Sequence, residues 1–177
     1  MEKIGAATAE PVLPWPQSMA EFDALIEATQ HRLIQFAFCR LHSAADAEDV
    51  VQDVFVRAYR HRERYRKVDN AVPFLFRMVA NRATDLLRKR RHAAAPLEDL
   101  AAEQRTGDGA DRQRWIETLL GRLPARQAEA IRLRIYGELS FDAVARSVGC
   151  SVPTVKSRFR YGIQKLRKLL ECQGGDR

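Results

Sequence analysis

Apolar residues recur every three or four positions through most of the chain, and this spacing predicts amphipathic α-helices. The first helix begins after Ser18, the second covers residues 45–62, and the third covers residues 74–92. Two more are predicted over residues 112–123 and 125–137. No segment shows the alternating pattern of a β-strand, so the sequence predicts an all-α fold.

Residues 139–170 predict two further helices around a tight turn, with the sequence LSFDAVARSVGCSVPTVKSRFRYGIQKLRKLL. Ser140 is suited to cap the first helix, and Gly149 is suited to end it in the left-handed conformation. Ser151 is suited to cap the second helix, whose first turn tolerates Pro153. This is a helix-turn-helix pattern, and its basic second helix suits the major groove of DNA. The alternative is a solvated basic face on an ordinary bundle helix.

Breaks in the helical pattern divide the chain. Residues 1–17 contain three prolines and predict a loose arm. Residues 92–110 are rich in alanine, glycine and acidic side chains, which is typical of a flexible linker. The predicted architecture is therefore two small helical bundles, at residues 18–91 and 111–172, joined by that linker and followed by a tail at residues 173–177. The C-terminal bundle contains the helix-turn-helix.

Charge is distributed unevenly along the chain of 177 residues, whose formal net charge is +7. Residues 20–56 hold seven acidic and two basic residues, whereas residues 57–91 hold twelve basic and three acidic residues. From residue 111 to the end, fourteen basic residues face seven acidic ones. One acidic surface followed by two basic surfaces predicts a protein partner and two nucleic-acid contacts.

Cysteine and histidine give no sign of a metal or redox site. Cys39, Cys150 and Cys172 are isolated, so neither a disulfide framework nor a zinc site is predicted, and no cofactor is expected. Cys39 fits a redox sensor or plain core packing, and we favour packing. With no apolar run of membrane-spanning length and no apolar signal core near the N-terminus, the chain is predicted to be cytoplasmic.

Three blocks, in this order, identify a likeness to a known family: DAEDVVQDVFVRAYR, FLFRMVANRATDLLRKRR, and LPARQAEAIRLRIYGELSFDAVARSVGCSVPTVKSRFRYGIQKLR. The chain resembles bacterial sigma factors of the sigma-70 family, and the likeness covers most of residues 18–170. The chain has no room for the extra domains of housekeeping sigma factors, which places the resemblance in the extracytoplasmic-function (ECF) group.

The resemblance implies a function and partners. A sigma factor of this group binds core RNA polymerase, through the β′ coiled coil and the β flap, and directs promoter-specific initiation of transcription. It needs no active site and no cofactor, because the polymerase supplies the catalysis. An anti-sigma factor, often membrane-bound, is implied as the inhibitor that masks its polymerase-binding surfaces.

Polar residues of the second helix match the family positions that dock on the β′ coiled coil. An exposed acidic patch on a rigid helix suits a basic partner surface and steers encounter with it. The alternative is a merely solvated helix face. The implied polymerase-binding residues are Glu48, Asp49, Gln52 and Asp53.

The loop at residues 62–74 and the third helix match the elements that open and read the minus-ten promoter element. Capturing extruded bases requires a pocket, stacking surfaces and cations along the DNA backbone. Asp85 is expected to orient a neighbouring arginine, and Asn81 fits a plain helix-surface amide as well as a DNA contact. The implied minus-ten residues are Tyr65, Asn70, Arg77, Asn81, Arg88, Lys89, Arg90 and Arg91.

The second helix of the helix-turn-helix matches the element that reads the minus-thirty-five promoter element. Arginine or lysine on guanine edges specifies sequence, whereas phosphate contacts fix the register. Thr154 and Arg158 are expected to meet phosphate. The residues implied to face the bases are Lys156, Ser157, Arg160 and Tyr161.

Two positions depart from the family pattern. Phe74 stands where many relatives carry tryptophan, which affects packing under the melting loop. Near the start of the helix-turn-helix, Asp142 is all that remains of a frequent acidic pair, with Ala143 in the second place. Alanine does not harm the helix, but a partner contact through the second acid is put in doubt.

Two other functions compete with the sigma-factor interpretation. A LuxR-type helix-turn-helix regulator has a similar recognition segment, but it predicts a receiver or ligand-binding domain upstream, where residues 18–91 instead carry sigma-like blocks. An enzyme acting on nucleic acid requires paired carboxylates, a P-loop or a Cys–His dyad, and none emerges from the sequence.

Overall fold

The computed structural model describes residues 12–93 and 108–174, and within these ranges all regular structure is helical. A short 3₁₀ turn, Arg62–Tyr65, lies between the second and third helices. The all-α prediction is confirmed, and no helix of the described ranges is long and apolar enough to cross a membrane. The helices are α1 (Met19–Leu41), α2 (Ala44–Arg60), α3 (Ala71–Ala93), α4 (Asp108–Gly121), α5 (Ala125–Ile135), α6 (Phe141–Val148) and α7 (Val152–Gly174).

Serine side chains begin several helices, as the sequence predicts. Ser18 Oγ accepts a hydrogen bond from the Glu21 amide at 3.2 Å, which starts α1. Ser43 caps α2, where its side chain accepts a hydrogen bond from the Asp46 amide. Ser140 caps α6, and the left-handed residue at its far end is Gly149, with φ 67°. Each cap satisfies a backbone amide that the first helical turn leaves free.

Helix α3 starts three residues earlier than predicted. Asn70 and Pro73 were expected to mark a loop, with the helix beginning at Phe74. Instead Asn70 Oδ1 accepts a hydrogen bond from the Val72 amide at 3.1 Å, and α3 begins at Ala71. Pro73 lies in the first turn, where the missing amide hydrogen costs no intrahelical bond.

The two predicted bundles are present. Helices α1, α2 and α3 surround fully buried side chains such as Phe36 and Leu75. In the C-terminal bundle, α4, α5 and α7 enclose a smaller core at Leu120 and Ile131, against which Phe159 packs. Residues 94–107 of the predicted linker lie outside the described residues, as do residues 1–11 and 175–177 of the predicted arm and tail. The two ends of the predicted linker, residues 92–93 and 108–110, are helical instead and belong to α3 and α4.

The bundles pack against each other through α3 and α6. One apolar core runs from the N-terminal bundle through α3 to Leu139 and Val144 at the start of the helix-turn-helix. Across this junction Ser147 Oγ donates a buried hydrogen bond of 2.9 Å to the Pro73 carbonyl oxygen. In the chain without partners, the two bundles therefore form one closed body, in which α6 of the helix-turn-helix packs on α3.

Two arginines of α1 reach across the same junction. Arg32 Nε donates a hydrogen bond to the Gly137 carbonyl oxygen at 2.9 Å. Arg40 forms a part-buried ion pair with Glu129 of α5, and it also donates to the Thr84 hydroxyl at 2.8 Å. The closed arrangement is thus held by apolar burial and by contacts of α1 to α5 and to the loop that follows it.

The segment before α1 corrects the prediction of a loose arm for residues 12–17. Trp15 is 2% exposed and belongs to the main apolar core. Its ring packs edge-on against Tyr65 and Phe74. The prolines on either side indicated an irregular backbone, but they carried no information about burial.

Gly149 gives a test of the helix-turn-helix turn. A Cβ there meets no atom within 4 Å, so Gly149→Ala adds only the cost of a left-handed alanine, and we expect the free energy of unfolding to fall by about 1–2 kcal/mol. Gly121→Ala is the matched control, since that position is equally open and its φ is not positive. Urea denaturation of both variants measures the difference. Equal stabilities would contradict the conformational explanation.

Candidate nucleic-acid interface

Helix α2 presents an acidic face that is smaller than predicted. Glu48, Asp49 and Gln52 are exposed. Asp53 is half-buried and forms ion pairs with Arg82 of α3 at 2.8 Å and with Arg57 at 3.1 Å. The open surface therefore consists of the acidic Glu48 and Asp49 with the neutral Gln52, while the charge of Asp53 is used inside the bundle.

The segment after α2 carries more exposed cations than the sequence analysis selected. Tyr65 is half-buried, with its ring 4.8 Å from that of Phe74, so only part of it is available to a base. Around it the run RERYRK supplies exposed basic side chains, which are suited to a nucleic-acid backbone. The overlooked residues are Arg62, Arg64, Arg66 and Lys67.

Asn70 is engaged in the fold. Its side chain is 7% exposed and caps α3, as described above. The prediction that Asn70 contacts DNA therefore finds no support in its position.

The cations of α3 differ in how freely they are presented. Arg77 and Lys89 are exposed, and the Arg77 guanidinium lies 5.3 Å from the centre of the Phe74 ring. Arg88 pairs with Asp85 at 3.3 Å, which agrees with the expectation for Asp85. Arg91 lies in the last turns of the same helix.

Arg90 joins α3 to the start of α2. Its Nη2 donates to Asp46 Oδ1 at 2.6 Å. This hydrogen bond from Arg90, together with that from Ser43, outweighs partial burial and lowers the pKa of Asp46 below its usual value. Arg90 thus fixes the position of the basic C-terminal part of α3 as well as adding to its charge.

On α7 the structure separates the six predicted residues into two groups. Lys156, Arg160 and Tyr161 are exposed. The other three are half-buried, because α7 packs against both α5 and α6. Of these, Thr154 shares a 2.8 Å hydrogen bond with the Ser151 hydroxyl, Arg158 donates to Cys150 Sγ at 3.4 Å, and the third is Ser157.

A cleft of about 460 Å³ lies between the bundles and brings the two predicted DNA sites together. Asn81 of α3 and Arg158 of α7 both line it. Arg126 and the Arg40–Glu129 pair complete its polar wall. Part of each predicted DNA surface therefore lines the cleft between the bundles.

Several polar groups are grouped around Tyr136, a half-buried residue that packs against both apolar cores. Burial raises the pKa of the Tyr136 phenol far above its usual range, and the neighbouring Cys39 and Glu117 add to the effect. Glu117 pairs with Arg132 at 2.7 Å, and Cys39 is 1% exposed, as the packing interpretation expects. In the part of the chain that the structure describes, no group of three or more His, Cys, Asp or Glu residues is placed to hold a metal ion.

Comparison with known families matches both bundles. Residues 25–93 match Sigma-70 region 2, and residues 113–166 match Sigma-70, region 4. The chain is 31% identical over 156 residues to the ECF RNA polymerase sigma factor SigM of Mycobacterium tuberculosis, covering 84% of this chain and 76% of that protein. It is 28% identical over 159 residues to the RNA polymerase sigma-E factor of Streptomyces avermitilis, covering 88% of each.

Two solved structures share the fold. CnrH, solved in complex with the cytosolic domain of CnrY, is 27% identical with a TM-score of 0.69, covering 88% of this chain and 91% of CnrH. The sigma factor RpoE, solved in complex with the anti-sigma factor NepR from Bartonella quintana, is 26% identical with a TM-score of 0.67. That alignment covers 90% of this chain and all of the RpoE chain.

Proposed function

The chain belongs to the ECF group of the sigma-70 family of RNA polymerase sigma factors, and from this premise we propose which surfaces carry each of its contacts. Its regions 2 and 4 bind core RNA polymerase and promoter DNA to begin transcription. The chain contributes no catalytic step of its own, because the polymerase forms the RNA. It acts in the cytoplasm, where polymerase and promoters are found.

The exposed face of α2 docks on the β′ coiled coil. Glu48, Asp49 and Gln52 project from a helix whose opposite side is buried, so the surface is rigid before the partner arrives. Asp53 acts differently: its pairs with Arg57 and Arg82 hold α2 against α3. A negative surface of this kind speeds encounter with a positive partner and fixes its orientation.

Helix α3 and the preceding loop hold the minus-ten element. Arg77, Arg88 and Lys89 provide exposed cations on one helix, and Asn81 provides an amide between them. The half-buried Tyr65, at the end of the 3₁₀ turn, offers the exposed edge of its ring. Cations and a fixed aromatic ring are the groups that retain an opened single strand.

The N-terminal part of α7 enters the major groove at the minus-thirty-five element, while the C-terminal bundle as a whole docks on the β flap. Lys156, Arg160 and Tyr161 carry the base contacts, because they are the exposed members of the predicted set. Thr154, Ser157 and Arg158 lie closer to the bundle and contact phosphate or support the helix.

The observation that carries the proposed mechanism is the packing of α3 on α6. By their names the two promoter elements lie 25 base pairs apart, which is about 85 Å of B-form DNA. In the structure the helices that would read them belong to bundles joined by the 2.9 Å Ser147–Pro73 hydrogen bond. The closed body therefore cannot engage both elements, and the bundles separate when the chain binds polymerase.

An anti-sigma factor controls this opening. Both structural neighbours were solved with a protein partner, and one of those partners is an anti-sigma factor. A partner that binds only the closed arrangement, or covers the acidic face of α2, adds its binding free energy to the cost of opening. The chain then stays inactive until that partner is removed.

Reconstitution with bacterial core RNA polymerase tests the function. The purified chain should co-elute with core polymerase in gel filtration and should confer initiation from selected promoters with no other sigma factor present. A helix-turn-helix regulator would bind DNA but would need a separate sigma factor to start transcription. Absence of a complex, with a folded chain and a working control sigma factor, would reject the proposal.

Charge reversal on α2 tests the docking surface. Glu48→Lys with Asp49→Lys should weaken polymerase binding about tenfold or more, because two attractive charges become repulsive. Asp53 is left unchanged, so the ion pairs inside the bundle remain. Asp23→Lys with Glu27→Lys, on the exposed side of α1, is the matched control for net charge. Equal binding by both double variants would remove the docking assignment.

Arg160→Ala tests base reading by α7. Loss of a base contact should reduce discrimination at the minus-thirty-five element by about 1–3 kcal/mol, measured by binding to point-substituted promoters. Arg167→Ala removes an exposed arginine from the C-terminal half of the same helix and should leave discrimination intact. If Arg160→Ala weakens binding to all sequences alike, the side chain contacts only phosphate.

Reversal of the junction charge tests closure. The free chain should scatter as a compact body with a radius of gyration of about 16 Å. Arg40→Glu places like charges at the junction and should increase that radius, whereas adding Glu129→Arg should restore it. Arg146→Glu, which disrupts an exposed ion pair within α6, is the control and should leave the radius unchanged. An unchanged radius for Arg40→Glu would show that this pair does not hold the bundles together.

A further inference from the structure

The segment Leu13–Gln17, called the strap below, lies against the loop assigned to the minus-ten element. Trp15 packs its ring edge-on against Tyr65, with centroids 5.0 Å apart, and against Phe74, with centroids 5.6 Å apart. Because the Tyr65 and Phe74 rings also contact each other, the three form a closed aromatic cluster. One side of the reading loop is thus packed on a tryptophan that lies about fifty residues earlier in the sequence.

Hydrogen bonds connect the two ends of the strap to the loop and to the start of α3. The Ala71 amide, at the start of α3, donates to the Leu13 carbonyl oxygen at 2.7 Å. At the other end of the strap, Arg66 Nε donates to Gln17 Oε1 at 3.0 Å. Gln17 Nε2 in turn donates to the Trp15 carbonyl oxygen at 2.9 Å. The strap therefore contacts the 3₁₀ turn, the loop and the first turn of α3 together.

The loop has few other anchors. Residues 61–64, 66, 67 and 69 are exposed, and no side chain of the 3₁₀ turn is buried. Two of its polar contacts, Arg62 to the Tyr59 carbonyl and Arg66 to Glu63, are local and exposed. A loop of this kind has low local stability unless a distant segment holds it.

We propose that the strap is a positioning element for promoter opening, in which Trp15 holds Tyr65 and the surrounding cations in the geometry that captures extruded bases. This inference rests on the proposed function of the loop. Trp15 itself touches no DNA, since it is 2% exposed beneath Tyr65. Trp15 orders the loop before DNA binds. The free-energy cost of ordering the loop is then not added to the free-energy cost of unstacking the duplex.

Substitutions of Trp15 change its packing without removing a hydrogen bond of its side chain. Trp15 Nε1 is buried and has no hydrogen-bond partner among the described residues. Trp15→Phe therefore loses ring volume but no hydrogen bond, and it keeps an aromatic edge for Tyr65. Trp15→Ala removes the support of the loop altogether. Val12→Ala is the matched control, because Val12 adjoins the strap and is 64% exposed.

The test compares initiation on two templates by holoenzyme made with each full-length variant. The duplex template is a promoter selected by wild-type holoenzyme from DNA randomised over both elements, and the second is the same promoter already melted at the minus-ten element. Trp15→Ala should lower initiation on the duplex about tenfold, yet remain within about threefold of wild type on the melted template. Trp15→Phe and Val12→Ala should resemble wild type, and polymerase affinity should be unchanged in all.

Docking of the strap has a readout that does not depend on activity. In a Trp115→Phe background Trp15 is the sole tryptophan, and its emission should be blue-shifted like that of a buried indole. Trp15 emission typical of water would overturn the proposal. If wild-type holoenzyme selects no promoter from the randomised DNA, the sigma-factor proposal fails, whereas this emission still decides whether the strap is docked.

Other outcomes also decide the role of Trp15. Equal losses on the duplex and melted templates, or loss of polymerase affinity, would mean that Trp15 only stabilises the fold. Activity of Trp15→Ala equal to wild type would overturn the proposal outright. Should Trp15→Ala not fold, Gln17→Ala decides, because it removes the exposed contact to Arg66 without touching the core. An unchanged ratio of duplex to melted initiation in Gln17→Ala would then reject the strap as a positioning element.

Discussion

Helix α3 is packed on both sides, and the other features of the molecule depend on how those two sides are covered. One side completes the N-terminal bundle through residues such as Leu75 and Val79, and another lies under α6. What remains exposed includes a narrow strip that carries Arg77, Asn81 and Arg88. The burial that makes α3 rigid also leaves Arg77 and Arg88 on one exposed face, and it brings the helix-turn-helix onto the same helix.

Local sequence was sufficient to place most helix ends. Ser18, Ser140 and Gly149 act within a single turn, so the helix ends that they set can be predicted without knowledge of the fold. The start of α3 was misplaced because Asn70 and Pro73 are as common in loops as at helix starts. The packing of α6 on α3 was not predictable, because an apolar helix face has the same sequence pattern whatever covers it.

The candidate site also combines features that local sequence predicts with features that depend on the fold. Periodicity identified the residues of α2 and α7 that avoid the apolar stripe, and charge identified α3 as cationic. Ion pairs between helices, such as Asp53 with Arg82 and Arg90 with Asp46, depend on distances of 2.8 Å and 2.6 Å that no spacing rule supplies. Trp15 was overlooked for the same reason, since its partners are far away in sequence.

The contacts that close the bundles and the contacts proposed for DNA differ in chemistry, so they respond differently to ionic strength. The junction of the bundles is largely apolar, and its Arg40–Glu129 pair is part-buried, so added salt screens it weakly. The promoter contacts proposed for the exposed cations would release counterions, so they would weaken steeply as salt rises. On the proposed function, a rise in ionic strength therefore shifts the population away from DNA and towards the closed free chain.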